Sequence, residues 1–173
     1  MKTILFAVAV ALLAFTSPAS ADGPVIRWAR IQGVTHEATG IEVAGIPTSS
    51  RGVTVGSGSA MLNLKSGFLS FDVTGISYDR HYPETGRPIG TYPSGARMVT
   101  IVCDSTGYFG PTEVVDSAPF PEVDGNATYR GFISVPQGCR DRPDQIVLLL
   151  RLPVGPGNLS GVFLAYGAAR SIQ

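Results

Sequence analysis

The side chains best suited to chemistry lie between Ser77 and Gly95, where Asp79, Arg80, His81, Glu84 and Arg87 are interleaved with Tyr78, Tyr82 and Tyr92. As an active site this stretch offers His81 as a general base, with Asp79 or Glu84 to orient its ring. As a binding surface it offers tyrosine faces and arginine forks through Tyr78, Arg80, His81, Tyr82, Arg87 and Tyr92. The same mixture also describes a solvated loop whose rings lie over the end of a β-domain. The three readings stay open, because neither the residue types nor their spacing favour one reaction.

Other candidate chemistry is sparse. The second histidine, His36, is followed by Glu37, but no His-x-His or His-x-x-x-His spacing joins either histidine to a partner, so no metal site is expected. No serine occupies a Gly-x-Ser-x-Gly elbow; Gly56-Ser57-Gly58 precedes a strand pattern and reads as a turn. The glycines from Gly52 to Gly58 lack the Lys-Ser/Thr and helix of a phosphate cradle, so no cofactor is expected. Asn126-Ala127-Thr128 and Asn158-Leu159-Ser160 match a glycosylation pattern that matters only in a secreting eukaryote. Trp28, flanked by Arg27 and Arg30, is read as a core plug for the first strand rather than as a stacking site.

The elements that must position these residues begin with an address. Lys2, the apolar run Ile4 to Phe15 and the small-residue exit Ala19-Ser20-Ala21 form the pattern of a secretory signal over residues 1–21. The run is too short to cross a bilayer, which needs about 20 apolar residues. The expected product, residues 22–173, is therefore a single soluble domain, secreted or periplasmic, without stable membrane insertion. Without Lys2 the chain carries 12 basic and 13 acidic side chains, a balance with no overall pull toward nucleic acid. In an oxidising compartment Cys103 and Cys139 are expected to form the one possible disulfide, not a metal or redox site.

Gly and Pro, 21 and 13 in number, cut the chain into pieces too short for long helices. Between the breaks the apolar pattern has period two. It is clearest in Gly58–Lys65 and Phe68–Thr74, joined by Lys65-Ser66-Gly67 into an expected hairpin with one wet face. Further strands are expected at Ala96–Asp104, Thr112–Ser117, Asn126–Val135, Gln145–Leu152 and Gly161–Ala168, with Val25–Val34 and Thr39–Ile46 upstream. Ile146 to Leu150 is wholly apolar, so its strand should be covered on both faces. Seven to nine short strands predict an all-β fold, an antiparallel β-sandwich with Val25–Val34 at an edge.

A wider set of features adds a resemblance. Gly45-Ile46-Pro47, the Gly58–Ile76 hairpin, Val102-Cys103, Pro119-Phe120-Pro121, Gly125-x-Ala127, Val135-Pro136 with Cys139, and Tyr166-Gly167 follow one another in a fixed order. In this the chain resembles a type of secreted bacterial β-sandwich protein with two cysteines. The hairpin is also similar to that of the chordin-type repeat domain, whose His-x-His centre this sequence lacks. The resemblance implies the fold and export and brings no activity.

These observations favour an exported, non-catalytic binding or envelope-associated module whose partner is an extracytoplasmic protein or a glycan. The alternatives are a small extracellular hydrolase or lyase using the 77–95 loop, and a subunit of an assembly docking through the edge strand.

Overall fold

The computed structural model describes residues 23–80, 90, 92, 94–104, 112–153 and 161–173. The expected signal (1–21), His81, Tyr82, Glu84 and Arg87 of the long loop, and the Asn158 pattern lie outside these residues. Thirteen strands are described: β1 (Val25–Gly33), β2 (Glu42–Val43), β3 (Ile46–Pro47), β4 (Val53–Thr54), β5 (Ser57–Asn63), β6 (Phe68–Thr74), β7 (Ser77–Tyr78), β8 (Gly95–Cys103), β9 (Glu113–Asp116), β10 (Phe120–Val123), β11 (Asn126–Phe132), β12 (Val147–Arg151) and β13 (Phe163–Ile172). One short helix, α1 (Gln137–Asp141), lies between β11 and β12.

The fold is all-β and antiparallel, but it is a closed eight-strand barrel and not a sandwich. Around the wall the order is β8, β10, β11, β6, β5, β1, β13, β12 and back to β8. The element that overturns the sandwich is β10, which the sequence hides because Pro119 and Pro121 read as a break. Phe120, Pro121 and Glu122 pair with Arg97, Ala96 and Gly95 of β8, while Glu122 and Val123 pair with Ala127 and Asn126 of β11. Asp124 and Gly125 make the connecting turn with φ of 51° and 78°, the left-handed pair of a two-residue hairpin loop. With both sides of β10 engaged, the sheet has no free ends to stack as two layers. β1, expected at an edge, pairs with β5 on one side and β13 on the other.

The expected hairpin is present, with Ser57 to Leu62 opposite Thr74 to Leu69. Asn63 Oδ1 accepts from the Lys65 and Ser66 amides, and Gly67 turns the chain at φ 75°. A Cβ on Gly67 would lie 2.1 Å from the Ile133 carbonyl oxygen, so position, as well as conformation, requires glycine.

Inward residues fill the barrel: Ile26, Trp28, Leu62, Leu69, Phe71, Ile101, Leu148 and Leu150 are buried in one continuous core. An eight-strand barrel is just wide enough for side chains to fill it, and here large rings do so. Trp28 is the plug that the sequence suggests, packed so closely on Gly167 that a Cβ there would lie 2.4 Å from its ring.

β12 is covered on both faces, as its apolar run requires. Leu148 and Leu150 face the core, and Leu149 joins a second cluster outside the wall with Val34, Ile46, Val102 and Phe163. That outer cover is an arm, residues 34–48, where Thr39–Ile46 resolves into the small β2–β3 hairpin instead of one strand. Bonds from Val34 N to Leu164 O and from Ser49 N to Phe163 O, each 2.9 Å, fix the arm's two ends to β13.

Cys103 of β8 and Cys139 of α1 form the expected disulfide, closing a separation of 36 residues. Both are fully buried, so the bridge staples the segment after β11 onto the barrel.

Candidate functional site

The structure places two of the loop tyrosines, Tyr78 and Tyr92, inward. Tyr78 and Tyr92 are 7% and 8% exposed, too little to present their faces to a ligand, and their ring centroids lie 4.9 Å apart. Arg80 is exposed, and the Asp79 carboxylate accepts from the His36 backbone N–H, which ties the loop's start to the arm. Among the described residues, no group of three or more His, Cys, Asp or Glu could hold a metal ion.

Beneath the tyrosines is a pair that the sequence reading did not single out. Arg97 and Glu122 form an ion pair inside the barrel, their side chains 4% and 0% exposed. The Arg97 guanidinium also lies over the Tyr92 ring, 5.2 Å from its centroid, and donates to the Ala96 carbonyl at 2.7 Å. The other carboxylate oxygen of Glu122 accepts from Gly125 N at 2.7 Å. One carboxylate thus joins β8, β10 and the turn into β11, the three pieces that close the barrel. Strand parity could have placed Arg97 inward, since it shares a face with the buried Val99, Ile101 and Cys103. No local signal names its partner, which lies 25 residues away.

Burial pushes the Tyr92 phenol up to about 12, against the pull of Arg97, while Tyr78 and Glu122 push it further up. The folded value lies above the unfolded value of about 10. The stabilisation linked to neutral Tyr92 is therefore complete below pH 10 and is lost as pH rises through 12. Alkaline absorbance titration of the folded protein should show a tyrosine ionising near pH 12 that disappears in Tyr92→Phe. The same substitution should flatten the loss of stability between pH 10 and 12.

The concave site lies on the opposite side of the wall. Between the 34–48 arm and the outer faces of β12 and β13 is a cleft of about 220 Å³, with Val34, Ala38, Val43, Val147, Leu149 and Phe163 among its lining residues. Ile41 stands at the cleft 53% exposed, and Thr48 and the partly buried Tyr166 supply the polar atoms. Thr48 Oγ1 accepts from Gly40 N at 2.8 Å and keeps its own O–H to donate. Sequence periodicity marks Val147 and Leu149 as covered but cannot show that the cover leaves a gap.

A second hollow, about 430 Å³ on the outer faces of β1, β5 and β6, is lined by Arg27, Ser59, Met61, Ser70, Asp72 and Ser171 among others. Its hydroxyls and charges face solvent from a wet wall, with less apolar enclosure than the arm cleft provides.

No family model, curated protein or solved structure matches the chain. The functional reading therefore rests on this geometry.

Proposed function

We propose that the mature chain is an exported, soluble, non-catalytic binding module that seats a small apolar group in the cleft between the 34–48 arm and the barrel wall. The observation that carries this reading is the cleft itself: an apolar hollow with few polar atoms, outside a barrel whose interior is filled by its own side chains. Its volume of about 220 Å³ exceeds the roughly 150 Å³ that accommodates benzene in a protein interior. The guest is thus a single aromatic ring or a short branched alkyl group, whether free or carried on a larger extracytoplasmic ligand. The signal pattern of residues 1–21 and the buried disulfide support the exported setting.

The experiment is thermal unfolding of the mature protein with toluene or indole, beside the cleft-filling variant Ala38→Trp. A ligand that binds only the folded chain stabilises it by about 2.7 kcal/mol at a hundred times its Kd. The melting temperature of the wild type should rise with either probe, and that of the variant should not. No rise with either probe, or an equal rise in the variant, would remove the cleft as the binding site.

A further inference from the structure

The barrel closes over a short stretch, and the wall beside it is open. On β11, the Ile133 N–H bond to Gly67 O fixes the ladder parity, so Tyr129 and Gly131 turn their N–H and C=O groups toward β6. Those of Thr128, Arg130 and Phe132 point the other way. On β9, the Ser117 N–H bond to Val99 O likewise sets Glu113 and Val115 toward β8 and leaves Val114 and Asp116 pointing away. Among the described residues, no strand lies between these two edges.

Pro121 accounts for the opening. Opposite Thr128, its carbonyl can accept from the Thr128 N–H, but it has no N–H to return to the Thr128 carbonyl. The β10–β11 ladder therefore stops at Glu122 and Ala127, and among the described residues no backbone bond joins Arg130 or Phe132 to residues 117–119, which the register places across from them.

We propose that this opening receives an extended peptide segment of a partner protein by strand addition. The Thr128 carbonyl and the N–H and C=O groups of Arg130 and Phe132 match the repeat of a β-strand, a fit that neither a sugar nor a lipid tail provides. The opening lies within the wall, so a lone extended strand fits it. Side-chain chemistry narrows the partner further. Arg130 is exposed beside Phe132, which is 70% exposed and packs edge-on against Phe68 at 5.5 Å. The incoming strand therefore places a carboxylate opposite Arg130 and an apolar side chain against Phe132. Its alternate residues point inward to the partly buried Val115 and Tyr129.

The test selects binders from a displayed library of random ten-residue peptides on the wild type, and measures them against Arg130→Pro and Arg130→Glu. Arg130→Pro removes an N–H that faces the opening and leaves the β6 ladder intact, so it should fold, whereas Tyr129→Pro should not. Selected peptides should carry an acidic residue among alternating apolar ones. They should lose at least about tenfold in affinity to Arg130→Pro, the scale of one hydrogen bond. Selection on Arg130→Glu should yield basic peptides instead. A library without binders, or binders indifferent to both Arg130 variants, would overturn the proposal. Slow amide exchange at Arg130 in the free protein would overturn it too, by showing that N–H already bonded.

Discussion

Replacing Glu122 with Gln should lower the free energy of unfolding by about 3–5 kcal/mol, the range for breaking a buried ion pair while leaving the other charge in place. Both side chains are almost fully enclosed, so the stranded Arg97 guanidinium cannot recover its hydration without opening the wall. The effect should be larger than that of losing one ordinary hydrogen bond, because the same carboxylate also holds the Gly125 amide. Replacing both partners with apolar residues, Arg97→Met with Glu122→Leu, should recover much of the loss. The control separates two accounts of the pair. Recovery means that the uncompensated charge is what costs stability; no recovery means that the ion pair itself holds the seam between β8 and β10. Urea unfolding of the three variants and the wild type measures both.

The second large effect is at the other end of β8. Converting Cys103 and Cys139 to serine should destabilise the fold by about 3–4 kcal/mol, since the bridge closes 36 residues and its loss frees the unfolded chain. Arg97 and Cys103 are six positions apart on one strand, roughly 20 Å at a strand's rise per residue. The Glu122 and cysteine effects should therefore add to within about half a kilocalorie per mole. The serine variants should also loosen the segment from Ile133 to Ile146, whose buried Ile133, Val135 and Ile146 close one end of the core. Hydrogen exchange should show that segment opening at lower free energy than β5 and β6.

The parts of the fold that were legible in the sequence are those set by local periodicity. Alternating Ala60, Leu62 and Leu64 against Leu69, Phe71 and Val73 specifies one face of a hairpin, and the hairpin is there. The unbroken Ile146–Leu150 run demands cover on both faces and receives it from the core and the arm. Barrel closure was not legible, because it depends on a four-residue strand containing a proline. Pro121 argues against a strand bonded on both sides, and the strand escapes that rule by lacking a bond only where the opening lies. The Asp124-Gly125 dipeptide, a strong two-residue hairpin signal, was the local clue to β10.

The candidate sites divide in the same way. The aromatic content of the 77–95 loop was visible, but not that Tyr78 and Tyr92 turn inward against each other, with Tyr92 beneath an arginine of β8. Arg97 and Glu122 meet only through the register of β8 with β10, a long-range fact. The cleft arises where the 34–48 arm lies against the wall, and its walls come from segments about a hundred residues apart.

Binding is proposed on the outer wall of a barrel that its own side chains fill. Methyl-resolved NMR of residues 22–173 during titration with toluene distinguishes the outer cleft from the interior. The methyl signals of Val34, Val43, Val147 and Leu149 should shift with a common saturation curve, while those of the interior residues Leu62, Leu69, Val73 and Leu150 stay in place. Shifts concentrated in the interior set, or no shifts in either, would rule out binding in the outer cleft.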